Sequence, residues 1–65
     1  MEKPRYLITI NWQGEIHKFY RYAGSPEQAL RHAIRQLARE VGYASKFVRN
    51  HVMSNEHRRY EVIIN

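Results

Sequence analysis

Residues 25–42, SPEQALRHAIRQLAREVG, contain the signals of a complete amphipathic helix. Ser25 is a favoured N-terminal cap, Pro26 suits the first helical position, and Gln28 stands three residues after the cap, as in a capping box. Apolar residues follow at the i, i+3, i+4 spacing of one buried stripe: Leu30, Ala33, Ile34, Leu37, Ala38 and Val41. Gly42 is a typical C-terminal stop. The pattern predicts a helix over 26–41.

The residues that precede this helix alternate as a β-hairpin does. The stretch RYLITINW, residues 5–12, is mostly β-branched or aromatic, which favours a strand. Its more apolar face is formed by Tyr6, Ile8 and Ile10. Gln13 and Gly14 provide a turn, because Gly14 can adopt a positive φ. Residues 16–23 then return as the second strand, so that the hairpin spans 5–23.

The length of the turn decides which face of the sheet receives each aromatic residue of HKFYRYA, residues 17–23. A two-residue loop puts Phe19 and Ala23 on the face of Ile8 and Ile10. The residues that then point to the opposite face are Leu7, Lys18, Tyr20 and Tyr22. A three-residue loop exchanges the faces, and the outward residues become His17, Phe19 and Arg21. We favour the two-residue loop, because the small Ala23 suits the close approach where the strand enters the helix.

The carboxy-terminal third gives weaker signals. Residues 59–64, RYEVII, predict a strand with Tyr60, Val62 and Ile64 on one face. Residues 47–53 alternate weakly, and a turn at Ser54-Asn55-Glu56 would complete a second hairpin over 47–64. The alternative is a short helix after Ser45, with an apolar side formed by Phe47, His51 and Val52. We favour the hairpin.

These elements predict one small basic α+β domain over residues 1–65, arranged as ββαββ. One antiparallel sheet would carry a single amphipathic helix packed on one face, leaving the other face open. The short apolar run at the amino terminus predicts no signal peptide or membrane span, so that a cytoplasmic location is expected. There is no cysteine, which excludes disulfides and thiolate metal sites.

The charge of the chain favours an acidic partner. Eleven Lys and Arg residues oppose six acidic residues, all of them Glu, for a formal net charge of +5 and a pI near 10.0. On the helix, Arg31, Arg35 and Arg39 recur every four residues, with His32 beside them. Like charges at this spacing cost a few tenths of a kcal/mol per pair, which suggests a use such as following a phosphate backbone.

The open face of the predicted sheet carries aromatic rings beside basic side chains in either register. The candidate residues there are Lys18, Tyr20 and Tyr22 in the favoured register and Arg21 in the alternative one. Such a surface can stack bases while it neutralises phosphates. Together with the arginine row, it predicts a non-catalytic nucleic-acid-binding module, with RNA favoured over DNA.

The alternative function is protein interaction, because exposed aromatic and aliphatic patches also mark protein interfaces. The partner would be a second copy, or the chain would be a small regulator that docks on an acidic protein surface. The run YAGSPEQALRHA, residues 22–33, resembles the strand-to-helix junction of small α+β proteins such as some archaeal ribosomal proteins and phage-encoded regulators of host enzymes. The resemblance is limited to capping chemistry and implies no functional residue.

Catalysis and cofactor binding are not expected. Nucleophilic catalysis needs an activated nucleophile beside an oriented base, and the chain has no cysteine and no aspartate. The four histidines are scattered in the sequence, and no Cys or Asp is present to complete a metal site with them. The three glycines are isolated, so that no phosphate-binding loop is present.

Overall fold

The computed structural model describes residues 3–53 and 59–65 as a three-stranded antiparallel sheet with two helices packed on one face. In chain order the elements are β1 (Arg5–Trp12), β2 (Glu15–Tyr22), α1 (Pro26–Val41), α2 (Ser45–Val52) and β3 (Tyr60–Ile64). The strand order is β2-β1-β3, so that β1 pairs with both neighbours. The α+β class is confirmed, but the ββαββ arrangement with a single helix is not, since the described residues form three strands and two helices.

The β1–β2 hairpin has the register of the two-residue loop. Gln13 and Gly14 both have positive φ, 51° and 87°, as a type I′ turn requires. The Gly14 N–H donates to Oδ1 of Asn11 at 3.0 Å, which ties the turn to the end of β1. Ile8 lies opposite Phe19, so that the favoured assignment of the two faces is confirmed.

The core lies between the helices and the face of β1 that carries its even-numbered residues. From the strands it takes Tyr6, Ile8, Ile10, Trp12 and Phe19, together with Ala23 after β2. From the helices it takes Ala29, Leu30, Ala33, Ile34, Leu37, Ala38, Val48 and Val52. The predicted stripe of α1 therefore faces the sheet, and the opposite sheet face has no covering layer among the described residues.

Helix α1 begins and ends where the sequence predicts. The Ser25 hydroxyl accepts from the Gln28 N–H at 3.2 Å, and the Gln28 side chain accepts in return from the Gly24 N–H at 2.7 Å. Gly42 ends the helix with φ 81°, and the next N–H, of Tyr43, donates to the Ala38 carbonyl at 3.1 Å. This six-to-one bond is the Schellman ending, which satisfies a carbonyl at the end of the helix.

The second hairpin predicted over 47–64 is wrong, because residues 47–52 belong to helix α2. The proposed turn at 54–56 lies outside the described residues. Val48 and Val52, four positions apart, are fully buried against the core, and this burial stabilises the helix. The neighbouring pair Phe47 and His51 contacts Trp12 edge-on, with ring centroids 6.2 and 4.8 Å from it. Tertiary packing on β1 therefore selects the helix in a stretch whose pattern fits both structures.

Strand β3 confirms the prediction for residues 59–64. It adds to the free side of β1, with Ile10 opposite Tyr60, Ile8 opposite Val62 and Tyr6 opposite Ile64. The face predicted for Tyr60, Val62 and Ile64 is therefore the helix-covered one. Its other residues, Glu61 and Ile63, lie on the open face.

Candidate nucleic-acid interface

The arginine row lies on the outer surface of α1. Because the buried stripe of this helix faces the sheet, Arg31, Arg35 and Arg39 point away from it and are exposed. The helical rise of 1.5 Å per residue separates successive arginines by about 6 Å along the axis. Within residues 3–53 and 59–65, none of the three guanidinium groups takes part in a hydrogen bond or salt bridge. All three are therefore available to an external anion.

Helix α2 packs on the same side of the sheet and carries two further exposed basic residues, Lys46 and Arg49. We call the exposed side of the two helices, with Arg31, Arg35, Arg39, Lys46 and Arg49, the helical face. The two helices contain only two acidic residues, Glu27 and Glu40. Glu40 accepts a hydrogen bond from Gln36 at 3.4 Å. Glu27 lies in the first turn of α1, where its negative charge interacts favourably with the helix dipole.

The opposite side of the molecule is the open sheet face, formed by cross-strand rows of three residues. One row contains Tyr20, Leu7 and Ile63. The next row contains Lys18, Thr9 and Glu61. Beyond the first row, Tyr22 lies opposite Arg5. The face therefore has one apolar row, and next to it a row that ends in a positive charge on β2 and a negative charge on β3.

Arg5 is already engaged within the open sheet face. Its guanidinium carbon lies 5.4 Å from the centre of the Tyr20 ring, within the range of a cation–π contact. With the amide of Asn65 turned so that its oxygen faces Arg5, that oxygen accepts from the guanidinium at 2.7 and 3.2 Å. Arg5 therefore stabilises the exposed tyrosine rather than remaining a free phosphate ligand.

The structure thus divides the residues predicted to bind nucleic acid among three places. Arg31, Arg35, Arg39 and the half-buried His32 lie on α1. Lys18, Tyr20 and Tyr22 lie on the open sheet face. Arg21 lies opposite Tyr6, on the helix-covered side of edge strand β2, and is exposed there. One nucleic acid could contact both the arginine row and the sheet tyrosines only by passing around the edge of the sheet.

Sequence reasoning missed two sets of residues. Lys46 and Arg49 join the helical face only because 45–52 is a helix, and the strand prediction left their direction undetermined. Glu61 and Ile63 alternate with the predicted buried residues of β3, and this alternation was the available signal that they would face outward.

A groove of about 580 Å³ separates the first half of α1 from β3 and the end of α2. Arg31, Arg49 and Glu27 line it together with apolar side chains, and residues 60–63 of edge strand β3 form its other wall. Arg31 and Arg49 therefore border the same groove from different helices, with Glu27 beside them. Among the described residues, no cluster of three or more His, Asp or Glu could hold a metal ion.

Comparison of the chain with protein-family models, with curated proteins and with solved structures finds no match. Among the described residues, no helix has both the length and the apolar character needed to cross a membrane. The functional proposal therefore depends on the geometry of this chain.

Proposed function

We propose that this protein is a non-catalytic nucleic-acid-binding module that contacts the phosphate backbone through the helical face. The observation that carries the proposal is the exposed row of Arg31, Arg35 and Arg39, which has no internal ionic partner among the described residues. Arginine suits this role, because its planar guanidinium binds phosphate in a bidentate manner.

The neighbouring charges support the same partner. Lys46 and Arg49 widen the basic surface, and the four-residue spacing on α1 presents one cation per helical turn. A backbone with one negative charge per nucleotide can contact several of these cations at once and release its counterions. An acidic protein surface is the alternative partner, and its charges would need a matching spacing.

The expected preference for RNA depends on the tyrosines of the open sheet face. Bases stacked on Tyr20 and Tyr22 would be held on the side of the sheet that faces away from the arginine row. Phosphate contacts alone carry no sequence information. The proposed recognition is therefore of the phosphate backbone. A comparison of structured RNA with duplex DNA tests whether RNA is preferred.

The test is fluorescence anisotropy of labelled structured RNA and duplex DNA, titrated at about 50 and 200 mM salt, where five phosphate contacts would change affinity by roughly 500-fold. Arg35→Ala with Arg39→Ala should weaken binding to all sequences by a similar factor. A loss of about 1.4 kcal/mol per charge-assisted contact corresponds to about tenfold per arginine. The slope of log K against log salt should become shallower by about two units.

The matched control removes the same charge from edge strand β2, with Lys18→Ala and Arg21→Ala. This variant should retain most of the affinity and most of the salt slope. An equal loss in both double variants would mean that net charge, and not the helical face, governs binding. Absence of binding at 50 mM salt would refute the nucleic-acid proposal and leave an acidic protein as the partner to be sought.

A further inference from the structure

The open sheet face exposes several large apolar and aromatic side chains to solvent. Tyr20, Tyr22 and Ile63 keep 55%, 69% and 46% of their surface exposed, and Ile16 on the same face keeps 57%. Leu7 lies half-buried between Tyr20 and Ile63. Tyr20, Leu7 and Ile63 are neighbours in one cross-strand row, and exposed apolar groups of this kind often mark an interaction surface.

We propose that the open sheet face binds a second copy of this chain, face to face, across a two-fold axis parallel to β1. Sheets that pack face to face keep their strands within about 30° of each other and lie about 10 Å apart. With this axis, β1 faces β1 of the second copy, while β2 faces its β3. The helices then lie on the outside of both copies. This inference does not depend on nucleic-acid binding.

The pattern of charge on the sheet is complementary to itself under this operation. Lys18 on β2 and Glu61 on β3 lie in one row, on either side of Thr9. Rotation about the axis brings Lys18 opposite Glu61 of the second copy, and Glu61 opposite Lys18 of that copy. Two ion pairs therefore form from one row, as an isologous interface requires.

The apolar row is also complementary to itself. Tyr20 on β2 and Ile63 on β3 flank Leu7, so that each tyrosine ring meets an isoleucine of the second copy and Leu7 meets its own equivalent. Burial of aromatic and aliphatic side chains between two packed sheets is favourable. Arg5 is the one like-charged residue near the axis. It lies in the last row of the sheet, where Tyr20 and Asn65 already engage it.

The size of the face predicts a weak dimer. The three strands have 8, 8 and 5 residues. With a spacing of about 4.8 Å and a rise of about 3.3 Å per residue, they give a face of roughly 330 Å². Two such faces bury about 1,000 Å² in total once side-chain relief is included, close to the lower limit of specific interfaces. Interfaces of this size are typical of weak, transient complexes, so that the dimer is expected to form in the upper micromolar range.

The experiment is sedimentation equilibrium of the isolated protein from about 1 to about 500 μM, which spans the expected range. The wild type should change from monomer to dimer mass. Lys18→Glu makes the row uniformly acidic and Glu61→Lys makes it uniformly basic, so that each variant alone should dimerise at least about tenfold more weakly. An equimolar mixture of these two variants should form a heterodimer, because every cross-axis pair is again opposite in charge.

The double variant Lys18→Glu with Glu61→Lys reverses both charges and should recover the wild-type dimer. Circular dichroism of each variant checks that the fold is retained. A wild type that stays monomeric throughout the concentration range would overturn the proposal. So would single variants that dimerise as the wild type does, or a mixture that does not associate. Loss of nucleic-acid affinity in Lys18→Glu, with the dimer unchanged, would assign the face to nucleic acid instead.

Discussion

The two faces of β1 use the same backbone for different purposes. Its even-numbered residues from Tyr6 to Trp12 are buried under the helices, whereas its odd-numbered residues from Arg5 to Asn11 remain exposed or half-buried. A slip of one residue would bring Thr9 and Asn11 into the core, so that the covered face fixes the register. The open face carries no such constraint. The covered face therefore provides most of the stability, and the open face is available to a partner.

The largest effect should come from matched truncations on the two faces. Ile8→Ala removes a fully buried side chain and should lower the free energy of unfolding by about 3 kcal/mol, within the range seen for core truncations. Leu7→Ala, one residue earlier on the open face, should cost about 1 kcal/mol or less in the monomer. Urea denaturation at about 1 μM protein, below the expected dimerisation range, measures both. Similar losses in both variants would mean that the faces are equally covered.

An intermediate effect is expected where α2 covers the end of the sheet. Val48→Ala should lower the free energy of unfolding by about 2 kcal/mol, because Val48 is fully buried and two methylene equivalents are lost. Asn50→Ala, on the exposed side of the same helix, should leave stability unchanged within about 0.5 kcal/mol. Thermal unfolding followed by circular dichroism compares the two. A harmless Val48→Ala would contradict the role of α2 in the core.

The smallest effect should appear at the turn that sets the two faces. Gln13 has a φ of 51°, in the left-handed region that asparagine tolerates better than glutamine. Gln13→Asn should therefore raise the free energy of unfolding by about 0.5 kcal/mol without changing the register. Urea denaturation gives the change in stability, and a lower midpoint would argue against the type I′ geometry.

The elements that the sequence predicts correctly are those determined by local chemistry. Ser25 and Pro26 start α1 and Gly42 ends it through contacts with residues near them in sequence. Gln13 and Gly14 likewise set the hairpin through their own backbone conformation. Helix α2 is different. Its eight residues fit a period of 2 as well as 3.6, and contacts with Trp12, remote in sequence, stabilise the helix. A short element that depends on tertiary packing cannot be identified from its own pattern.

The sequence predicts which residues could form the candidate site, but not how all of them are arranged on the folded molecule. The spacing of Arg31, Arg35 and Arg39 is enough to align them on one side of a helix. The favoured hairpin register also puts Tyr20 and Tyr22 on the side of the sheet away from that helix, so that the separation of the two groups was implicit. The contribution of Lys46 depended on α2, and that of Glu61 on the pairing of β3 with β1.

The strand order β2-β1-β3 also affects how the chain folds as it is synthesised. β1 leaves the ribosome first and meets β2 after a two-residue turn, but its other edge waits for β3, which pairs position 64 with position 6. Both helices emerge before that edge closes. An unpaired edge strand accepts any matching strand. Until β3 has been synthesised, this edge of β1 is therefore open to pairing with a strand of another chain.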